Sequence, residues 1–527
     1  MNKALRLDWL WQGNRGLWLS LTLFAVLAAT SWVGFIASDD ATYIRGAYGW
    51  LEHFPYVGGH GTIRYPITVP IALSFLAFGE NEYAAVVPSV IYLLVFLVVI
   101  WRAICLRAGA TSALVALLLT VTCPLIVIQS TIAGVDVIEL ALLFGAFLLF
   151  LHCLEHGPRP AYLMGAGALA GIAFLTRETA IFVVPFFGVL FALGHRMKRI
   201  QYLWIPLGFV AVWLCEIAYL TIMTGDPLYR INISRHHDAT IDRGVDLAGN
   251  VLVHPLIDPL LVLFANQEFM LIFLFTLPFG GWLCWSSQIE PRLQHFARLL
   301  TFFSLNWLVC VGAAQHLLPL NPRYFMIVST GACLLTGIAI ARLLKSDRKP
   351  TRLVGAASLA VIVGTNLLGI YVENKQPIFG EKRLLQLLEE HPDWAVSTDP
   401  MTLERAAYLL RWKKLEGRVT ANPPRSGVYY YYNPDRSATA NARMSTAQLP
   451  LYQPAPGSQR LATFDRRPDG LMRLIERLGL YRALPGKIWD KLQHRGSTTY
   501  LYRIAGGQVN QSGAFTNSTD EPRTLPH

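Results

Sequence analysis

Eleven apolar runs, each about 15 to 22 residues long, recur through the first 371 residues and predict membrane-crossing helices. They begin near Leu17, Tyr83, Ser112, Val137, Tyr162, Thr179, Tyr202, Phe269, Leu299, Phe325 and Leu353. A further run, Pro66 to Phe78, has only thirteen residues and is closed by Gly79, Glu80 and Asn81. It is short for a span, so it is assigned to the membrane interface as an amphipathic or re-entrant helix. Counting it as a span would also invert every later loop.

Charge then predicts an orientation. Lys3, Arg6 and Arg15 precede the first run. On the same side fall Arg102 and Arg107, Arg159, the Arg196, Lys198, Arg199 cluster, Arg292 and Arg298, and Arg342, Lys345, Arg348, Lys349 and Arg352. The positive-inside rule makes that side cytoplasmic. The opposite side is poor in cations, with Arg45, Arg64, Arg177 and Arg323 as the notable ones. A cleaved signal peptide is the alternative for the first run, but its length and its internal Trp32 argue against that.

Composition agrees. The chain has 527 residues, of which 53% are hydrophobic and 15% charged, whereas soluble globular proteins carry roughly 25% charged residues. That excludes an ordinary soluble enzyme and indicates an α-helical polytopic membrane protein, an integral protein whose main partners include membrane lipids. The net charge of +11 lies largely in short loops, so it is a topology signal and not a nucleic-acid footprint. All seven cysteines fall in or beside apolar runs without CxxC spacing, which assigns them to packing.

An odd number of spans puts everything after Tyr371 on the outer side, periplasmic in a Gram-negative inner membrane. Residues 372–505 are polar and read as a small α/β domain. Leu384 to Leu388 and Leu403 to Trp412 are its expected helices, and Trp394 to Ser397, Val428 to Tyr432 and Thr498 to Ile504 its expected strands. Residues 506–527 are rich in Gly, Ser, Asn, Thr and Pro and read as disordered. No internal repeat and no inverted pair of broken helices is visible.

Chemistry concentrates in the first outer loop, residues 38–81. Ser38, Asp39, Asp40 and Tyr43 open it, His60 lies midway, and Arg64-Tyr65-Pro66 close it. One reading is that Ser38 or Asp39 merely caps the following helix. Capping leaves the rest of the loop unexplained, where a carboxylate and a cation are expected to face one another. Arg64, Arg177 and Arg323 each sit at the outer end of a helix. A guanidinium there either grips a lipid phosphate or simply snorkels to the headgroups. Arg177 is expected to pair with Glu178. Asp136 and Glu139 share a helix face and are read as orienting substrate, holding Arg64 or binding a divalent ion, with an effect at the helix N-terminus as the plainer account of Asp136. Glu139 and Glu216 lie inside apolar runs, where a charge requires an interior partner. The long outer loop 224–267 contains Arg235-His236-His237-Asp238, which lacks a recognised zinc spacing and is read as part of a lid. No cofactor is assigned; a divalent metal stays open.

These residues resemble the polyprenyl-phosphate-sugar-dependent glycosyltransferases of the GT-C superfamily, particularly glycosyltransferase family 39. That family includes the protein O-mannosyltransferases and the lipid A aminoarabinose transferase. Asp39-Asp40 resembles the family's acidic pair, Tyr43 its helix tyrosine, and Arg64-Tyr65-Pro66 its closing basic and proline element. Two departures are plain: Asp40 stands where Glu is usual, and the closing element is not Lys-Pro-Pro. The resemblance implies a GT-C-like module over residues 1–371 and an inverting transfer of a sugar from a polyprenyl-phosphate donor to a lipid, glycan or protein acceptor on the outer face. It implies Asp39 as general base, with Asp40 beside it. Arg64, Arg177, Arg323 and Tyr324 would meet the donor phosphate, Arg323 as first choice because an Arg-Tyr pair before a late span resembles the family's phosphate-contact region, and Tyr43, His60, Tyr65, Asp136 and Glu139 would meet the substrates. The competing reading is a transporter or lipid-linked sugar flippase. It predicts ionisable residues deep in several spans, and here Glu139 and Glu216 are the exceptions to a clustering at outer helix ends.

Overall fold

The structure, a computed structural model, describes residues 14–239, 254, 257–314, 320–444, 452–454, 457–465, 470–486, 489 and 498–504. Lys3 and Arg6, the middle of the long outer loop with most of its expected lid, and the tail 506–527 lie outside them. The chain divides into two compact units, Met1–Pro377 with Arg482–Leu492, and Ile378–Tyr481 with Gln493–His527.

Every predicted span is helical. Six are long and apolar enough to cross a membrane: Glu82–Ala108, Asp136–His156, Arg199–Thr224, Pro291–Ala313, Pro322–Leu344 and Lys349–Glu373. A seventh is a pair, Ala110–Thr122 and Pro124–Ser130, bent by 66°. Pro124 supplies the break, since it has no N–H to continue the ladder. The other four, Arg15–Thr30, Pro160–Thr176, Glu178–Leu193 and Ile272–Trp285, are shorter apolar helices. Two of them are short because Arg177 and Glu178 interrupt what would otherwise be one apolar stretch. The interface run forms the helix Tyr65–Phe78, also shorter than a span.

Packing among these helices rests on small residues, because lipid supplies no hydrophobic drive for one helix to seek another. A Cβ on Gly167 would lie 1.8 Å from the Ile205 carbonyl oxygen, and one on Gly208 would lie 2.0 Å from that of Met164. The helices Pro160–Thr176 and Trp204–Thr224 therefore touch backbone to backbone. Pro322–Leu344 is enclosed on all sides by protein, and Gly337 lets it close on Ala116. The helix Asp39–Glu52 lies on Tyr65–Phe78, where Gly46 leaves room for Thr62 and Thr68.

The second unit carries a five-stranded sheet, with strands β1 Val396–Thr398, β2 Val419–Ala421, β3 Tyr429–Tyr432, β4 Gln459–Phe464 and β5 Thr499–Arg503 in the order β2-β1-β3-β5-β4. β1 pairs in parallel with β2 and β3, and β5 runs antiparallel to β3 and β4. Leu384, Leu388, Val396, Leu410, Tyr431 and Leu501 form its core. The expected helices appear as Phe379–Glu390 and Pro400–Lys413, and the three expected strands as β1, β3 and β5. The two edge strands, β2 and β4, are additions. β4 is mostly exposed and its register shifts between Arg460 and Ala462, so no clean apolar alternation marks it in the sequence.

The backbone contact at Gly167 yields a direct test. Gly167→Val should lower the midpoint of thermal unfolding in detergent, in line with the about 1–3 kcal/mol cost of overpacking a well-packed site. Gly188→Ala, where an added Cβ meets open space, should leave the midpoint within a degree or two of the parent.

Candidate functional site

The loop after the first helix delivers Asp39 and Asp40 to the first turn of Asp39–Glu52, where their charge suits the positive end of the helix. The two point in different directions. Asp40 is buried, and its carboxylate accepts the backbone N–H of Ile36 at 2.6 Å, Ser38 at 2.6 Å and Ala41 at 3.0 Å. Burial pushes its carboxyl up to about 6, against the pull of those three bonds. The capping role expected of Ser38 or Asp39 thus belongs to Asp40, while the Ser38 side chain makes no cap bond.

Asp39 is half exposed and accepts Arg323 Nη1 at 2.8 Å. Partial burial tends to raise its carboxyl, but the charge and hydrogen bond of Arg323 outweigh this, aided by Arg64 and Arg177, and hold it below the ordinary 3.8. Arg323 stands on the turn Pro322–Phe325, which Asn321 caps and Trp307 fixes through its Nε1 on the Tyr324 carbonyl at 2.8 Å. Its Nε is buried and donates to no acceptor among the described residues.

The expectation that Arg64 meets a carboxylate within its own loop is corrected. Arg64 Nη1 donates to the Tyr43 hydroxyl at 2.8 Å, and Nη2 lies 3.5 Å from Glu178. Asp39 finds its cation in another part of the chain. The expected Arg177–Glu178 pair is likewise absent. Arg177 turns inward to Asp136, stands 3.9 Å from Glu139 and lies over the Tyr324 ring at 4.1 Å, while Thr179 donates to Glu139 at 2.6 Å. The backbone at Arg177 is extended between a helix and a 3-10 turn, so neighbours in sequence face opposite ways. Asp136 and Glu139 accordingly hold Arg177, not Arg64.

Sequence reasoning missed Arg230. This buried residue donates from Nε to Glu216 at 2.8 and 3.0 Å, from Nη1 to Glu178 at 3.1 Å and from Nη2 to the Ile63 carbonyl at 3.1 Å. Glu216 was the available signal, since a carboxylate in an apolar run requires a cation. Tyr65 packs edge-on against Trp50 and Tyr219, and its buried hydroxyl has no partner among the described residues. His60 lies half-buried in the turn preceding Arg64.

The Asp39–Arg323 pair lies on the wall of a cavity of about 290 Å³. Its lining includes Asp39, Asp40, Tyr43, Gln129, Asp136, Glu268, Asn321, Arg323, Glu373 and Lys375, with Val33, Ile36, Ile128 and Ile132 as apolar wall. Arg64, Arg177, His60 and Tyr65 are not among the lining residues. Among the described residues no three His, Cys, Asp or Glu side chains converge as a metal site. His236 stands on the helix Tyr229–Ala239, whereas the side chains of residues 237 and 238 lie outside the described set. The donor set of a divalent ion is therefore not assembled from the described side chains, and no step below uses one.

Residues 67–219 match the family model for dolichyl-phosphate-mannose-protein mannosyltransferase. No curated protein matches the chain in sequence. Among solved structures, ArnT from Cupriavidus metallidurans in the apo state is similar over 93% of this chain and 98% of its own, at 12% identity and a TM-score of 0.53. The same protein bound to undecaprenyl phosphate gives 12% identity and a TM-score of 0.47, over 93% of this chain and 99% of its own. The Archaeoglobus fulgidus oligosaccharyltransferase AglB, in complex with an inhibitory peptide and a dolichol-phosphate, gives 10% and 0.45, over 77% and 64%. The chain therefore shares the fold of apo ArnT, and within it residues 67–219 match the mannosyltransferase family model.

The arginines divide by their surroundings, and stability measurements should separate them. Arg177→Met leaves two buried carboxylates without their cation, which should cost about 3–5 kcal/mol and be seen as a large fall in folded yield and melting temperature. Arg323→Met frees a half-exposed Asp39 and should cost no more than about 1 kcal/mol.

Proposed function

We propose that this protein transfers a sugar from a polyprenyl-phosphate carrier to an acceptor hydroxyl or amine at the outer membrane surface, with inversion at the anomeric carbon. The observation that carries the reading is the Asp39–Arg323 pair at 2.8 Å on the wall of the cavity, together with the dolichyl-phosphate-mannose donor in the name of the family model that residues 67–219 match.

Each partner of the pair suits one half of such a displacement. The sugar–phosphate bond breaks as the acceptor heteroatom bonds to the anomeric carbon, and the polyprenyl phosphate departs with the bonding electrons. Arg323 is a planar, permanently charged donor that can grip two phosphate oxygens. Its move from the Asp39 carboxylate to the phosphate would free Asp39 to take the acceptor proton. A single displacement needs this one base and a stabilised leaving group; the two closely spaced carboxylates of a retaining glycosidase are not required. Asp40 has its oxygens committed to three backbone donors and is assigned to holding the loop, so that Asp39 faces the cavity. Arg64 braces the same helix through the hydroxyl of Tyr43, which lines the cavity, and the Arg177 cluster with Asp136, Glu139 and Tyr324 carries the turn that presents Arg323. His60 and Tyr65 support the closing end of the loop. The loops bearing the site face the periplasm of a bacterial inner membrane under the positive-inside reading.

The experiment is sugar transfer by the purified chain from a radiolabelled polyprenyl-phosphate-sugar pool to cell-envelope acceptors. Asp39→Asn should lower transfer by about 10²–10⁴-fold, the range for loss of a general base, with unchanged folded yield. Undiminished transfer would remove Asp39 from the reaction. The pH profile is a separate check. Since Asp39 is held below 3.8, its base form persists through the neutral range and is lost only in strong acid. A rate that halves near pH 6 would instead identify Asp40 as the titrating group.

A further inference from the structure

A second cavity lies away from the acidic pair. It has a volume of about 270 Å³, and its lining includes Ala170, Val184, Phe187, Gly188, Pro206 and Phe209. It is a groove between the helices Val183–Leu193 and Trp204–Thr224, with Pro160–Thr176 as its floor. Val183–Leu193 packs on Pro291–Ala313, whereas Trp204–Thr224 packs on Pro160–Thr176, so the two walls are held apart. Gly188 deepens the hollow, since a Cβ there would meet open space. The one hydroxyl on the wall, that of Tyr202, is committed to the His195 carbonyl at 2.7 Å. The lining side chains therefore offer no hydrogen bond to a sugar or a headgroup, and the interior suits a hydrocarbon chain.

One end of this groove is basic. The segment 194–203 joins the two walls and places Arg196, Lys198 and Arg199 there, all three exposed. Arg199 Nη2 donates to the Ala192 carbonyl at 2.9 Å, which fixes its guanidinium beside Phe191 of the groove wall. Among the described residues none of the three is in a salt bridge. Leu193, Ile200 and Trp204 are exposed in the same stretch, the mixture of cation, aliphatic and indole that suits a headgroup boundary. The positive-inside reading puts this end at the cytoplasmic leaflet, whose anionic lipids give it a negative surface potential. We propose that the groove binds one anionic phospholipid, with an acyl chain between Phe187, Gly188 and Phe209 and the phosphodiester at Arg196, Lys198 and Arg199. Charge selects the occupant, because a zwitterionic lipid offers the same chains but brings its own ammonium to the cations. The site shares no lining residue with the Asp39 cavity and does not rest on the sugar-transfer reading.

The test is native mass spectrometry of the full chain in detergent with equal amounts of phosphatidylglycerol and phosphatidylethanolamine of matched chains, with the melting temperature read in parallel. Phosphatidylglycerol should be retained in preference and should raise the melting temperature, as a ligand of the folded state does. The double variant Arg196→Gln, Lys198→Gln should weaken phosphatidylglycerol retention by about 10- to 30-fold, the scale of removing two cations near a lipid surface, and leave phosphatidylethanolamine unchanged. Gly188→Leu fills the hollow from its wall and should abolish the retained lipid at unchanged folded yield; Val184→Trp, on the same wall, takes its place if the yield falls. Excess undecaprenyl phosphate should leave the phosphatidylglycerol bound. Equal retention of the two lipids by the parent, or a preference that survives the charge variant, would overturn the anionic selectivity. A preference that survives filling of the groove would place the lipid elsewhere. Displacement by undecaprenyl phosphate, or a partner protein found in the groove, would assign it to another occupant, and either result overturns the proposal.

Discussion

A guanidinium buried among apolar helices must be neutralised where it stands, and the part of the first unit that carries the cavity is arranged around one such group, Arg177. Asp136 binds it directly, Glu139 lies 3.9 Å away, and the Tyr324 ring covers it at 4.1 Å. Three separate segments are therefore held to one another: the start of Asp136–His156, the break after Pro160–Thr176 and the turn Pro322–Phe325. Desolvation of such a cluster is expensive, and it holds only while every charge keeps its partner. Because Tyr324 adjoins Arg323, the same cluster sets where Arg323 can meet Asp39. The cavity inherits its geometry from an ion pair of which Asp136 lines it and Arg177 does not.

The adjacent acids illustrate how one helical turn divides labour. At 3.6 residues per turn, neighbouring positions diverge by about 100° around the helix. Both line the cavity, but the Asp40 carboxylate is taken up by the backbone of the loop it closes and the Asp39 carboxylate by Arg323. Burial raises one carboxyl and a nearby guanidinium lowers the other, so two identical side chains acquire different chemistry from their surroundings. A second network does comparable work around Glu178, which receives both Arg64 and Arg230. Through Arg230 and the Ile63 carbonyl it ties the closing end of the first outer loop to the helix Trp204–Thr224.

Much of the fold was legible because a bilayer imposes a simple pattern: long apolar runs, polar breaks and charged loops. Glu139 and Glu216 were also legible as residues in need of partners. Their partners were not. Arg177 was read with Glu178, its neighbour, since sequence displays proximity along the chain and conceals the extended backbone that turns the two apart. Arg230 lies in a polar loop where an arginine is unremarkable, and nothing local marks it as buried. The edge strands β2 and β4 were invisible because strands covered on only part of one face leave little alternation to read.

Hydrophobic periodicity by itself determined where the helices form, which runs are long enough to cross a membrane and that an acidic pair opens the first loop. It determined these because each depends on residues close together in the chain. The tertiary structure alone decided which charge meets which. Asp39 and Arg323 are 284 positions apart, and the strength of their pairing depends on distance and on exclusion of water. Both are properties of packed helices, and no linear spacing encodes them.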